Sequence, residues 1–159
     1  ETNYLYKIED FEFISGVFEA CKHYLALDYQ IIIISNQSGI SRGYYSEQDY
    51  QELTKWMKVK FEKNNINILE VIHCPHLPSD FCDCRKPKPG MLLSAKTKHN
   101  IDMENSWMIG DKEEDIMAAN AANIMNTILV RSGHKVNEAN SNAKYFLDSI
   151  QYSKKIIVN

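Results

Sequence analysis

The chain has 159 residues, of which 44% are hydrophobic and 25% charged, and a formal net charge of −3. That length supports one domain whose core stands without disulfide staples, and the composition excludes a disordered tail. With no basic stripe, nucleic acid is excluded as a main partner, and the longest apolar run, Ile31 to Ile34, is too short to span a bilayer.

Glu1-Thr2-Asn3 opens without a basic or apolar leader segment, so the cytoplasm is the expected compartment. After Gly16, the apolar residues Val17, Cys21, Tyr24 and Leu25 recur at helical spacing, and Asp28-Tyr29 ends that helix. Ile31 to Ile34 follows, four β-branched residues without polar alternation, which predicts a strand covered on both faces as in a parallel sheet. Beyond a loop from Asn36 to Tyr45, Ser46 and Asp49 form a variant capping box. The helix it opens carries Tyr50, Leu53, Met57 and Phe61 inward and stops near Asn64-Asn65. Ile68 to Ile72 is a second strand and Pro89-Gly90 opens another helix. Trp107 to Ile109 is a third strand, followed by a helix from Glu113 to Ala122 with acids in its first turn, where the macrodipole favours them. Thr127 to Val130 and Tyr145 to Leu147 complete the set. Strands alternating with helices in this way predict an α/β fold, a Rossmann-like doubly wound parallel sheet. In such sheets ligands gather beyond the carboxyl ends of the strands. Ser35-Asn36, Cys74 to Lys86 and Gly110-Asp111 all fall on that edge.

Cys74, His76, Cys82 and Cys84 put three thiols and one imidazole into one loop, a tetrahedral zinc set with no open position. Such a metal is structural. His73 competes with His76, but alternation along an extended segment puts Cys74 and His76 on one side. The loop runs into Arg85-Lys86-Pro87-Lys88-Pro89, whose cations at a proline-stiffened segment suit an anion clamp. Gly110-Asp111 and Asp115 place two carboxylates at a strand-to-helix turn. They suit Mg²⁺ shared with a substrate phosphate, or else Asp111 caps the following helix. Ser35 to Gly39 offers a hydroxyl and backbone N–H groups to phosphate oxygens.

Taken together, these residues resemble the haloacid dehalogenase-like (HAD-like) phosphatases, and most closely the subgroup that hydrolyses D-glycero-D-manno-heptose 1,7-bisphosphate at the 7-position. Histidinol-phosphate phosphatase is the sister subgroup. The likeness rests on Asp10-Phe11-Glu12-Phe13, Asn36-Gln37-Ser38-Gly39, Cys74-Pro75-His76, Cys82-Asp83-Cys84-Arg85-Lys86-Pro87, Pro89-Gly90-Met91-Leu92, Gly110-Asp111-Lys112 and Asp115. By that resemblance Ser35 and Lys86 steady the transferring phosphoryl group, and Asn36, Gln37, Ser38 and Arg85 contact substrate. Asp111 ligates Mg²⁺ with Lys112 beside it, while Asp115 supports the site. Glu1, Thr2, Asn3 and Tyr4 align with a substrate-facing segment. The implied protein is a cytoplasmic monomer acting on a small phosphorylated sugar in carbohydrate metabolism, toward lipopolysaccharide precursors, without nucleic-acid or membrane partners.

One departure is serious, because the family's Asp-x-Asp-Gly motif occurs nowhere in the chain. Its first Asp attacks phosphorus to give an aspartyl-phosphate and its second protonates the leaving oxygen. The strand carrying that motif lies mid-sheet in this fold. Without it two buried strand edges lose partners, at roughly 1–3 kcal/mol per unsatisfied group. The expectation is a single domain over 1–159, with a zinc loop over 74–84, beginning about fifteen to twenty residues into the functional polypeptide. Such a chain alone would be inactive. A natural pseudo-enzyme, or a zinc-stabilised binding module that has lost catalysis, is the rival.

Overall fold

A computed structural model of the chain describes residues 13–131 and 135–158. Its main elements are α1 (Val17–Ala26), β1 (Ile32–Asn36), α2 (Glu47–Lys63), β2 (Glu70–Cys74), α3 (Gly90–His99), β3 (Trp107–Gly110), α4 (Glu113–Ala121), β4 (Asn126–Val130) and β5 (Tyr145–Leu147). The described residues also contain four short 3₁₀ turns that the sequence did not signal, the last of them Ile150–Lys155.

Among the described residues all strand pairs are parallel. β1 runs beside β2 from Ile32 opposite Glu70 to Asn36 opposite Cys74. β3, β4 and β5 pair in that order, with Gly110 opposite Leu129 and Val130 opposite Leu147. The strand alternation distributes side chains to two helical layers. Ile31, Ile33 and Val71 pack with Cys21 of α1 and Phe61 of α2, whereas Ile34 joins Leu92 of α3, Met108 of β3 and Ala118 of α4. Within β3, Trp107 and Ile109 turn the opposite way from Met108, toward Tyr24 and Ile128. This is the doubly wound parallel α/β arrangement the periodicity implies.

Two local expectations need correcting. β2 starts two residues later than the apolar run, because Ile66 and Ile68 sink into the core, at 0% and 3% exposure, before strand pairing begins. Ile31 to Ile34 pack on both faces but are only half-buried. Among the described residues β1 and β3 share no hydrogen bonds, and the two strands border a common cavity of about 1120 Å³. Among the described residues, the edge of β1 that meets this cavity therefore lacks the backbone pairing it has on the β2 side.

Ser46 caps α2 as expected: its Oγ accepts from the Asp49 N–H at 3.0 Å, and the Asp49 carboxylate accepts from the Ser46 N–H at 2.9 Å. This reciprocal box holds the end of the loop that follows β1. Among the described residues, no helix is long and apolar enough to cross a membrane.

Candidate active site and metal centre

The β1–β2 register sets Asn36 directly beside Cys74, so the loops leaving the two strands start together. The Gln37 N–H donates to the Cys74 carbonyl at 2.7 Å, and the Ser41 hydroxyl donates to the Pro75 carbonyl at 2.6 Å. One loop carries thiols and the other carries amides and hydroxyls.

Cys74, His76, Cys82 and Cys84 converge, with their ligand atoms all within 4.8 Å of one another. Cys74 Sγ lies 3.4 Å from His76 Nδ1 and 3.6 Å from Cys82 Sγ, and His76 Nδ1 lies 3.3 Å from Cys84 Sγ. A tetrahedron with ~2.3 Å metal–sulfur bonds has edges of about 3.8 Å, close to these separations. The Cys74–Cys84 separation, 2.7 Å, is the outlier, and all three thiols are free. Burial pushes the Cys84 thiol up to about 12, helped by the thiols of Cys74 and Cys82. For Cys82 burial acts the same way, but the Arg85 backbone N–H and the neighbouring thiols outweigh it and bring the thiol down to about 6. The three sulfurs thus contend for negative charge, and a dication would relieve that contention by binding all of them as thiolates. The donor set fits zinc. His73 lies outside this cluster, and its Nε2 meets the Glu47 carboxylate at 2.8 Å.

This loop holds the basic segment through main-chain carbonyls. Arg85 Nη1 donates to the His76 carbonyl at 3.4 Å, and Lys88 Nζ donates to that of Cys82 at 3.0 Å. Gly90 lets α3 start against the loop. Its N–H donates to the Asp83 carbonyl at 2.9 Å, and a Cβ would stand 2.2 Å from that same oxygen.

Lys86 is gripped from two directions. Asn36 Nδ2 donates to the Lys86 carbonyl at 3.2 Å while Asn36 Oδ1 accepts from the Lys86 N–H at 3.0 Å. The ammonium lies 2.5 Å from Asp115 Oδ1, with side-chain exposures of 13% and 7%. The other Asp115 oxygen accepts from the Lys112 N–H at 3.2 Å, so Asp115 tethers the start of α4. Gly110 makes room for this, since a Cβ there would lie 2.4 Å from Asp115 Oδ2.

Ser35, Asn36, Ser38, Arg85, Lys86, Asp111, Lys112 and Asp115 all line the cavity between β1 and β3. Gln37 is not in that lining, because its amide turns to Ser35 and Tyr45. The assignments to Glu1, Thr2, Asn3 and Tyr4 fall outside the described residues. Sequence reasoning missed the polar role of Tyr45 and Tyr50, both buried, whose hydroxyls reach Gln37 and Ser35. The available signal was a tyrosine, rather than a phenylalanine, at the first core position of α2.

An ammonium, a hydroxyl and a hard carboxylate at the strand ends make a site for an anionic oxygen ester with a divalent cation. A family model described as HAD-hydrolase-like matches residues 83–152. The D-glycero-alpha-D-manno-heptose-1,7-bisphosphate 7-phosphatase of Photorhabdus laumondii is 46% identical over 150 residues, covering 90% of this chain and 82% of that protein. The D-glycero-beta-D-manno-heptose-1,7-bisphosphate 7-phosphatase of Escherichia coli K12 is 40% identical over 155 residues, covering 92% of this chain and 81% of that protein. The crystal structure of D,D-heptose 1,7-bisphosphate phosphatase from B. bronchiseptica, complexed with magnesium and phosphate, superposes with a TM-score of 0.84. It is 20% identical and covers 98% of this chain and 89% of that one, which supports the fold. By sequence identity across most of both chains, this protein belongs to the HAD-like family of heptose-1,7-bisphosphate 7-phosphatases.

Proposed function

We propose that the chain is the core of a Mg²⁺-dependent phosphatase, acting in the cytoplasm on D-glycero-D-manno-heptose 1,7-bisphosphate at the 7-phosphate and braced by a structural zinc. The observation that carries this reading is the Lys86–Asp115 pair, which lines one cavity with Ser35 and Asp111 at the strand ends. Zinc would be held by Cys74, His76, Cys82 and Cys84, fixing the carbonyls on which Arg85 and Lys88 rest.

Asp115 is committed to Lys86, so the magnesium role falls to Asp111. A magnesium ion there would offset negative charge on the phosphoryl oxygens. Lys86 Nζ donates to one phosphoryl oxygen and the Ser35 hydroxyl to another, both pre-set before charge develops in the transition state. Arg85 is the candidate for the second phosphate or the sugar, since a guanidinium matches phosphate in a two-pronged fashion. The reaction also needs an attacking carboxylate and a proton donor of the Asp-x-Asp kind, which this sequence lacks.

The test is phosphate release, with Mg²⁺, by the chain as given and by a version with a strand ending in Asp-x-Asp-Gly placed ahead of Glu1. The substrates are both anomers of the heptose bisphosphate and histidinol phosphate. Release from C7 of the heptose by the extended, zinc-loaded form is the expected result. An extended form inert on every phosphate ester would overturn the proposal, and a preference for histidinol phosphate would move it to the sister activity.

A further inference from the structure

Ser35 is useful to a phosphoryl group only if its proton points at that group. A hydroxyl has one donor and two acceptor positions, and its rotor settles where its neighbours send it. One buried tyrosine and one amide touch this one, and a second buried tyrosine holds the amide. Gln37 Nε2 donates to Ser35 Oγ at 3.2 Å. The Tyr50 hydroxyl lies 3.4 Å from the same oxygen. The Tyr45 hydroxyl donates to Gln37 Oε1 at 2.5 Å, and this sets which end of the amide faces Ser35. Tyr45 and Tyr50 are 5% and 6% exposed, so water does not replace these partners cheaply.

We propose that Gln37 and Tyr45 are positioning residues that keep the Ser35 hydroxyl an acceptor on its protein side, leaving its proton for a phosphoryl oxygen. Two arrangements of the same atoms compete. In one, Tyr45 donates to Gln37, Gln37 donates to Ser35, and the Ser35 proton is available to the ligand. In the other the amide is turned, Gln37 donates to Tyr45, and Ser35 spends its proton on Oε1. An anion in the cradle selects the first, and it also turns the Tyr50 contact, in which either hydroxyl can donate, so that Tyr50 gives its proton to Ser35. Gln37 thereby acts through Ser35 and not on the substrate, in keeping with its absence from the cavity lining.

The inference rests on the phosphate-ester reading above, and its test does not require turnover. Inorganic phosphate is titrated into the zinc-loaded chain with Mg²⁺, and the dissociation constant is read by calorimetry for Gln37→Glu, Ser35→Ala and the double variant. Glutamate keeps the shape but can only accept, so Ser35 must donate to it. Ser35→Ala should weaken binding by ~10-fold or more, the scale of a hydrogen bond to a charged group. Gln37→Glu should cost about tenfold more with Ser35 present than in the Ser35→Ala background, where only the repulsion of its charge remains. Tyr45→Phe, which adds no charge, should weaken phosphate about threefold in the native background, as the hydroxyl spreads over its staggered wells, and not at all beside Ser35→Ala. A general loss of structure would instead weaken binding equally in both backgrounds. Additive effects for both Gln37→Glu and Tyr45→Phe would refute the positioning role and leave the phosphatase reading standing. Absence of phosphate binding by the unaltered chain would overturn both.

Discussion

Asp115→Asn removes one charge from a pair that has almost no access to water. Lys86 and Asp115 have side-chain exposures of 13% and 7% and an N–O separation of 2.5 Å, so neither is screened as a surface pair would be. Asparagine retains an oxygen for the Lys112 N–H but presents no charge to the ammonium. An orphaned buried charge costs ~3–5 kcal/mol, about a fifth or more of the ~5–15 kcal/mol expected for a whole domain. Asp115→Ala should lose ~1 kcal/mol more, since the tether at the start of α4 goes as well. Adding Lys86→Met to Asp115→Asn removes the orphan, and most of the stability should return, because replacing both charges by apolar surface is close to neutral. Urea unfolding reads these differences directly if the slope stays constant across the set. The double variant should nevertheless fail to bind phosphate, having lost its ammonium. A loss below ~1 kcal/mol for Asp115→Asn, or a double variant no more stable than the single, would refute the claim that this pair is buried and mutually dependent.

Gly110→Ala should destabilise by ~2 kcal/mol or more, since its Cβ would meet the Asp115 carboxylate at 2.4 Å and force that side chain off Lys86; the same urea series measures it, and a neutral result would place Asp115 elsewhere. The native chain should carry one zinc, and Cys82→Ser or chelation should lower the melting temperature and weaken phosphate binding together, because the carbonyls under Arg85 and Lys88 come loose. Metal analysis showing full zinc occupancy in Cys82→Ser would remove that residue from the ligand set. Tyr24→Phe should cost ~1–3 kcal/mol by leaving the Ser153 hydroxyl, which is 0% exposed, without its partner. Burial pushes the Tyr24 phenol up to about 12 from 10.0, so the folded state keeps a proton that the unfolded chain gives up. Its contribution is whole below 10.0 and disappears as pH climbs toward about 12, and the phenylalanine variant should lack that alkaline decline in melting temperature.

What the sequence disclosed follows the range of each interaction. The residues of the thiol–imidazole cluster lie within one short stretch, so spacing pointed to their convergence, while His73, next to Cys74, holds Glu47. The Ser46–Asp49 box and the start of α3 were legible for the same reason. Contacts between distant segments were not. Nothing near Asn36 announces that its amide brackets the Lys86 backbone fifty residues on. The bond between Gln37 and Tyr45 was equally hidden, because that tyrosine is spaced as an ordinary core residue. The limits of β2 were displaced because hydrophobicity marks burial, and Ile66 and Ile68 are buried without being paired.

The tip of the thiolate loop has a practical consequence. Pro78, Ser79 and Asp80 form an exposed turn closed by the Leu77 N–H donating to Asp80 at 2.8 Å, and Phe81 beyond it is 84% exposed. The bonds described from this lobe to its neighbours leave instead through the carbonyls of Cys74, Pro75, His76, Cys82 and Asp83. A fluorophore or affinity handle grafted at Ser79 would therefore ride on a rigid mount, reporting whether the lobe is assembled while standing clear of the chemistry. Lengthening the turn there offers a tolerant place to attach new surface to an old enzyme.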